Sequence, residues 1–285
     1  MTPQQRAQEI IREFVEFTDK YSSQIPLAIP KGTLKTIDFY RDAYFRYLKD
    51  SEFKSNICYM LQLIEYELWL YKLFKPQYSL ESALFFQQFV TQGVVIEAIV
   101  FALQVDALIV SDPSDRSKGG TKDEHQSLLQ MIRKRTFAQH VNQLRETQVL
   151  PEVLCDALDK FRGEIRNLVH LQNWEGRLYR QISQKDFDVK LQEFDTLLKN
   201  INTGLKNPPT LAALLTYYQL DGRRLFGKVK YCNRNSGRGQ IECKGPHDYI
   251  PFFAKNEFLP VKGEAVTFEL ALFEQGVKAV KLAHA

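Results

Sequence analysis

The chain has 285 residues, 44% hydrophobic and 25% charged, with a formal net charge of +4. That composition excludes disordered and fibrous classes, and the length exceeds what one small core fills, so more than one domain is expected. The most apolar stretch, FVTQGVVIEAIVFALQVDALIV at 89–110, is interrupted by Gln92, Glu97, Gln104 and Asp106, which predicts a buried core helix and not a membrane span. MTPQQRAQEIIREF lacks the apolar core and cleavage site of a signal peptide, so a cytoplasmic address without membrane contact is expected.

Thr2 before Pro3 predicts a helix start, and Ile10, Ile11, Phe14, Val15 and Phe17 follow at helical spacing. Similar patterns predict helices near 33–49, 51–74, 79–110, 124–133, 136–147, 151–171, 185–204 and 209–220, with Ser51 and Ser79 as caps and Pro76 and Pro151 as punctuation. One polar interruption, SDPSDRSKGGTKDE at 111–124, is expected to be a solvated loop. It is either a plain connection or a substrate-contacting flap carrying Arg116, Lys118 and Lys122.

After DGRR at 221–224 the texture changes. RLFGKVKYC, GRGQIEC, DYIPFFA, EAVTFELALFE and VKAVKLA are short β-branched or aromatic segments separated by turn formers, which suits a small antiparallel barrel. The expected fold class is multi-domain, an all-α helical bundle followed by a small all-β barrel. The expected divisions are a helical extension at 1–75, a helical domain at 76–205, a helix and linker at 206–223, and the barrel at 224–285.

Charge divides along the same line. Residues 223–285 carry eleven Lys or Arg against six Asp or Glu, a net of +5, and the preceding residues are close to neutral. A local basic excess points to an anionic partner, most often nucleic acid. Cys58, Cys155, Cys232 and Cys243 stand far apart with no CxxC pair, and His125, His140, His247 and His284 have no metal-ligand spacing, so neither metal nor cofactor is expected. Phosphate-cradling glycine loops, nucleophile elbows and dinucleotide fingerprints are absent from the sequence.

FGKVKYCNRNSGRGQI, then DYIPFF, then VKGEAVTFELALFEQGVKAVKLA resemble the cold-shock form of the oligonucleotide-binding barrel over about 225–283. The resemblance implies single-stranded nucleic-acid binding on strand-borne aromatic rings, backed by basic residues along the phosphates. Tyr231 matches the first-strand aromatic and Phe252 with Phe253 the third-strand region, while Arg238 and Gln240 stand where the family has two phenylalanines. Lys228, Lys230, Arg234 and Arg238 form a basic set with no acid anywhere in 223–241. One of Phe252 and Phe253 is expected in the core, because successive strand residues face opposite ways. Docking of a protein partner on the barrel is the alternative.

GVVIEAIVFALQVDAL and TFAQHVNQLRETQVLPEVLCDALDKFRGEIRNLVHL resemble the HEPN superfamily of helical domains over about 79–205. Many of its members are metal-independent endoribonucleases that act as dimers. By that resemblance Arg166, Asn167 and His170 match the Arg-polar-His element and Glu97 the acidic position of the apolar helix. A histidine can move the ribose 2′-hydroxyl proton, and an arginine can hold charge developing on phosphate. Three residues separate Arg166 from His170, where active members usually have four to six. From the residues alone, Glu97 amid apolar neighbours is expected to be buried and paired with Arg166 or Arg162.

The resulting expectation is an RNA-targeting homodimer that cleaves single-stranded or structured RNA in the manner of toxin or defence ribonucleases, with an antitoxin or other protein as a further partner. The alternatives are a non-catalytic dimeric RNA-binding protein and a barrel used for protein docking.

Overall fold

A computed structural model describes residues 2–21, 32–76, 79–109, 122–169, 182–205, 210–247, 249–254, 258–273 and 276–285. The loop at 111–121 and His170 lie outside the described residues, as do the side chains of Lys122, Arg166 and Asn167. The chain forms two compact units, Met1–Thr36 and Ile37–Ala285.

The first unit contains α1 (Pro3–Tyr21). Its start is capped as expected: the Gln5 amide donates to Thr2 Oγ1 at 3.2 Å, and the Thr2 amide donates to Gln5 Oε1 at 2.8 Å. This reciprocal pair satisfies two donors that a helix start would otherwise leave open.

In the second unit α2 (Ile37–Tyr44) and α3 (Ser51–Phe74) lead into α4 (Ser79–Ile109). They are followed by α5 (Lys122–Arg133), α6 (Phe137–Glu146), α7 (Glu152–Val169), α8 (Gln184–Gly204) and α9 (Leu211–Tyr217). The cap of α3 is Asp50, which accepts from the amides of Glu52 and Phe53, and the expected cap Ser51 is the first helical residue. A carboxylate also opposes the positive end of the helix more strongly than a hydroxyl does.

Helix α4 is apolar on most of its circumference because most of that circumference is covered. Phe85, Phe89, Ile96, Ile99 and Leu103 are buried among side chains of α2, α3, α6, α7 and α8, with Phe85 stacked 4.2 Å from Phe187. Leu80–Leu108 is long and apolar enough to cross a membrane by composition, and 67% of its most apolar window is buried within the fold. Two of its interrupting polar residues, Gln104 and Asp106, fasten it to neighbours. Gln104 donates to the His140 carbonyl at 3.3 Å and lies 2.7 Å from His140 Nδ1, while Asp106 accepts from the amides of Lys49 and Asp50 at 2.7 and 3.0 Å. The core crosses the expected division at residue 75, since Tyr40, Ile57 and Leu61 belong to the same cluster as Ile96 and Leu158.

The remaining residues form a closed five-stranded barrel of β1 (Leu225–Asn233), β2 (Arg238–Glu242), β3 (Tyr249–Phe253), β4 (Ala265–Phe273) and β5 (Gly276–His284), in the spatial order β1-β2-β3-β5-β4. Val229, Ile241, Ile250, Phe252, Val266 and Phe268 fill it. The helical bundle plus small barrel is the architecture expected from the sequence. The two parts are packed together through α9: Tyr218 is buried, donates its hydroxyl to Gln143 Oε1 at 2.6 Å, and offers its carbonyl to His247 Nε2 at 3.1 Å.

Candidate nucleic-acid interface

Register decides what the barrel shows on its outer face. Between β1 and β2, Lys228 pairs with Glu242, Tyr231 with Gln240 and Asn233 with Arg238; between β2 and β3, Glu242 pairs with Tyr249, Gln240 with Pro251 and Arg238 with Phe253. Three rungs therefore run across adjacent strands: Lys228-Glu242-Tyr249, Tyr231-Gln240-Pro251 and Asn233-Arg238-Phe253. Ile241, Ile250 and Phe252 alternate with them and point inward, as the two-residue period of a strand requires.

A bulge between Val229 and Tyr231 modifies this pattern. It turns both Lys230 and Tyr231 outward on consecutive positions, so a cation and a ring share the face where strict alternation would show only one. Lys230 reaches across β2 and places its ammonium 3.6 Å from the centre of the Tyr249 ring, a cation–π contact between β1 and β3. Tyr231 and Tyr249 are each 47% exposed and Phe253 is 56% exposed. For large rings that burial would stabilise, such exposure on one face marks a contact surface.

Of the two phenylalanines of β3, one of which was expected in the core, the buried one is Phe252. It is 3% exposed and packs in the barrel core, leaving Phe253 alone of the pair on the surface. Tyr249, not singled out from the sequence, is a further exposed ring on the same strand. Its signal in the sequence was the four-residue spacing from Phe253, two periods of a strand, obscured because every residue of YIPFF is apolar or aromatic.

The loop from β1 to β2 is built by Asn233, whose side chain accepts from the amides of Asn235 and Ser236 at 3.0 and 3.2 Å. It holds Arg234 exposed beside Arg238. Lys228, Lys230, Arg234 and Arg238 are all exposed. Among the described residues the ion pairs of the barrel and its approach are Arg223–Asp221, Lys281–Glu269 and His284–Glu264, so none of the four is neutralised by a carboxylate. Such a face can stack bases on its rings and place cations against the phosphates between them.

The helical candidate site is described only in part. Glu97 accepts from Arg162 Nε at 2.8 Å, joining α4 to α7, and the Arg162 guanidinium lies 5.1 Å from the Phe137 ring centre. The expected burial of Glu97 is not found, since its side chain is 48% exposed. Val94 and Glu97, three residues apart, share a strip of α4 that the neighbouring helices leave open. Of the two arginines expected as its partner, the observed one is Arg162. Arg166 and Asn167 fall in the backbone of α7 one turn further on.

Other titratable groups serve packing. Burial holds the His140 imidazole down to about 4, with the charge of Arg135 adding to the effect. Burial pushes the thiols of Cys58 and Cys155 up to about 11, so they are poor nucleophiles. All four cysteines are free thiols. Among the described residues no three His, Cys, Asp or Glu side chains are grouped to hold a metal ion.

Comparison of the chain with models of known protein families gives no match, and comparison with curated proteins gives none either.

Proposed function

We propose that this is an RNA-binding protein whose barrel, a cold-shock-like oligonucleotide-binding domain, takes up single strands on the β1-β2-β3 face. The observation that carries the reading is the set of three exposed rings, Tyr231, Tyr249 and Phe253, on adjacent strands with four cations that form no ion pair among the described residues. Each base stacked on a ring contributes about 1 to 3 kcal/mol with little sequence preference. Cations along the same face release condensed counterions from the strand, which makes binding salt-dependent. The free thiols suit a reducing, cytoplasmic setting.

A second reading adds cleavage. The Glu97–Arg162 pair links the apolar helix α4 to the helix carrying Arg166 and Asn167, an arrangement that suits a HEPN-type endoribonuclease. In it a homodimer brings Arg166 and His170 to one phosphate. An antitoxin or other protein partner would then restrain it. The test is a time course on end-labelled RNA with EDTA present, comparing the natural chain with His170→Ala and Arg166→Ala. Cleavage lost in both variants supports the nuclease. Intact RNA with an equal mobility shift in all three leaves a binding protein, and no shift at all removes both readings.

A further inference from the structure

We infer that a strand bound on the barrel face continues into a second site, the groove between α6, α9 and the β2–β3 turn, so that barrel and helical bundle share one nucleic-acid path. This rests on the barrel reading above. The groove has a volume of about 780 Å³, and its walls include Arg135, Asn142, Glu146, Tyr217, Arg223 and Pro246. Pro246 belongs to the turn between β2 and β3, three residues before Tyr249. That is about 10 Å of extended chain, so a strand stacked on Tyr249 reaches the groove within one or two nucleotides.

The lining matches what a nucleotide needs. Arg135 is fixed in place, its guanidinium 4.3 Å from the centre of the Tyr218 ring and 5.6 Å from that of Tyr217, with Nη2 donating to the Pro246 carbonyl at 3.2 Å. Arg223 donates to the Thr216 carbonyl at 3.3 Å, lies 3.6 Å from Asp221, and remains exposed. A guanidinium has five N–H donors, so both arginines keep donors for phosphate oxygens. Exposed Arg133 and Lys134 directly precede Arg135 and extend the positive charge along the chain. The Asn142 amide and the Tyr217 ring offer a base edge-on and face-on contacts. Glu146, the carboxylate of the lining, suits a ribose hydroxyl or an exocyclic amine and not a phosphate.

The experiment measures anisotropy of fluorescent oligouridylates, one of about three nucleotides, one for each exposed ring, and one of about twelve, long enough to run past the rings into the groove. It uses the full chain, Arg223→Glu and Tyr231→Ala. The expected result is that Arg223→Glu weakens the longer oligomer about tenfold, the effect of one lost and reversed phosphate contact, and changes the shorter one less than about twofold. Tyr231→Ala should weaken both. Photocrosslinking with 4-thiouridine should label α9 around Tyr217 with the longer oligomer alone. Arg223→Glu affecting both lengths equally, or neither, with no α9 crosslink, overturns the groove while Tyr231→Ala still upholds the barrel face. Failure of the natural chain to bind either oligomer removes the barrel reading itself.

Discussion

His140 is a residue whose environment decides its charge. It is 6% exposed, close to Gln104, and held at about 4 by burial, whereas the unfolded chain presents an ordinary imidazole near 6.5. Between those values the unfolded state binds the extra proton, so acidification favours unfolding. The contribution is present above the unfolded value and is lost as pH falls towards the folded one. Urea unfolding at pH 7 and pH 5 should show a loss of about 2 kcal/mol that His140→Gln largely abolishes. Asp106, whose carboxyl is pushed up by burial despite two backbone donors, works in the opposite direction nearer the carboxylate range, and the variant comparison separates the two. At Gly239 the limit is steric. A Cβ there would overlap the Phe252 ring and the Tyr231 carbonyl, so Gly239→Ala should destabilise the barrel by about 1 to 3 kcal/mol in a thermal melt.

At the scale of elements, β3 carries two phenylalanines with opposite duties. Phe253→Ala should leave the melting curve nearly unchanged and weaken single-stranded RNA binding by the loss of one stacked base, about 1 to 3 kcal/mol. Phe252→Ala should instead cost about 3 to 5 kcal/mol of stability, because it empties part of the core. The five strands were legible from turn formers and β-branched runs, and the helices from their apolar period. Which face of β3 looks outward was not, since Tyr249, Ile250, Phe252 and Phe253 are all apolar or aromatic and only pairing with Arg238 and Gln240 settles it. The bulge that adds Lys230 to the face of Tyr231 has no local sequence signal. Glu97 misled for a related reason: its neighbours in sequence are apolar, yet its side of α4 is the open one.

For the molecule as a whole, the join between bundle and barrel is a polar fastening inside an apolar seam. Leu214, Leu220 and Leu272 pack around Tyr218, whose hydroxyl meets Gln143. Tyr218→Phe removes that donor and leaves a buried amide oxygen unsatisfied, and should lower the unfolding free energy by about 1 to 3 kcal/mol. The broad division into helices and barrel followed from composition and charge, whereas the long-range contacts of α9 did not, since nothing in TLAALLTYYQL names its partners. The central claim, that the outer face of the barrel binds single-stranded RNA, is tested most directly by affinity measured across a range of salt for the natural chain and for a Tyr231→Ala/Tyr249→Ala/Phe253→Ala variant. The account predicts a log–log slope of about −2 to −3 in the natural chain, from three or four phosphates met by Lys228, Lys230, Arg234 and Arg238. It further predicts that the variant keeps that slope but binds about a hundredfold or more weakly. Equal affinity of the two proteins, or no salt-dependent binding by the natural chain, would contradict it.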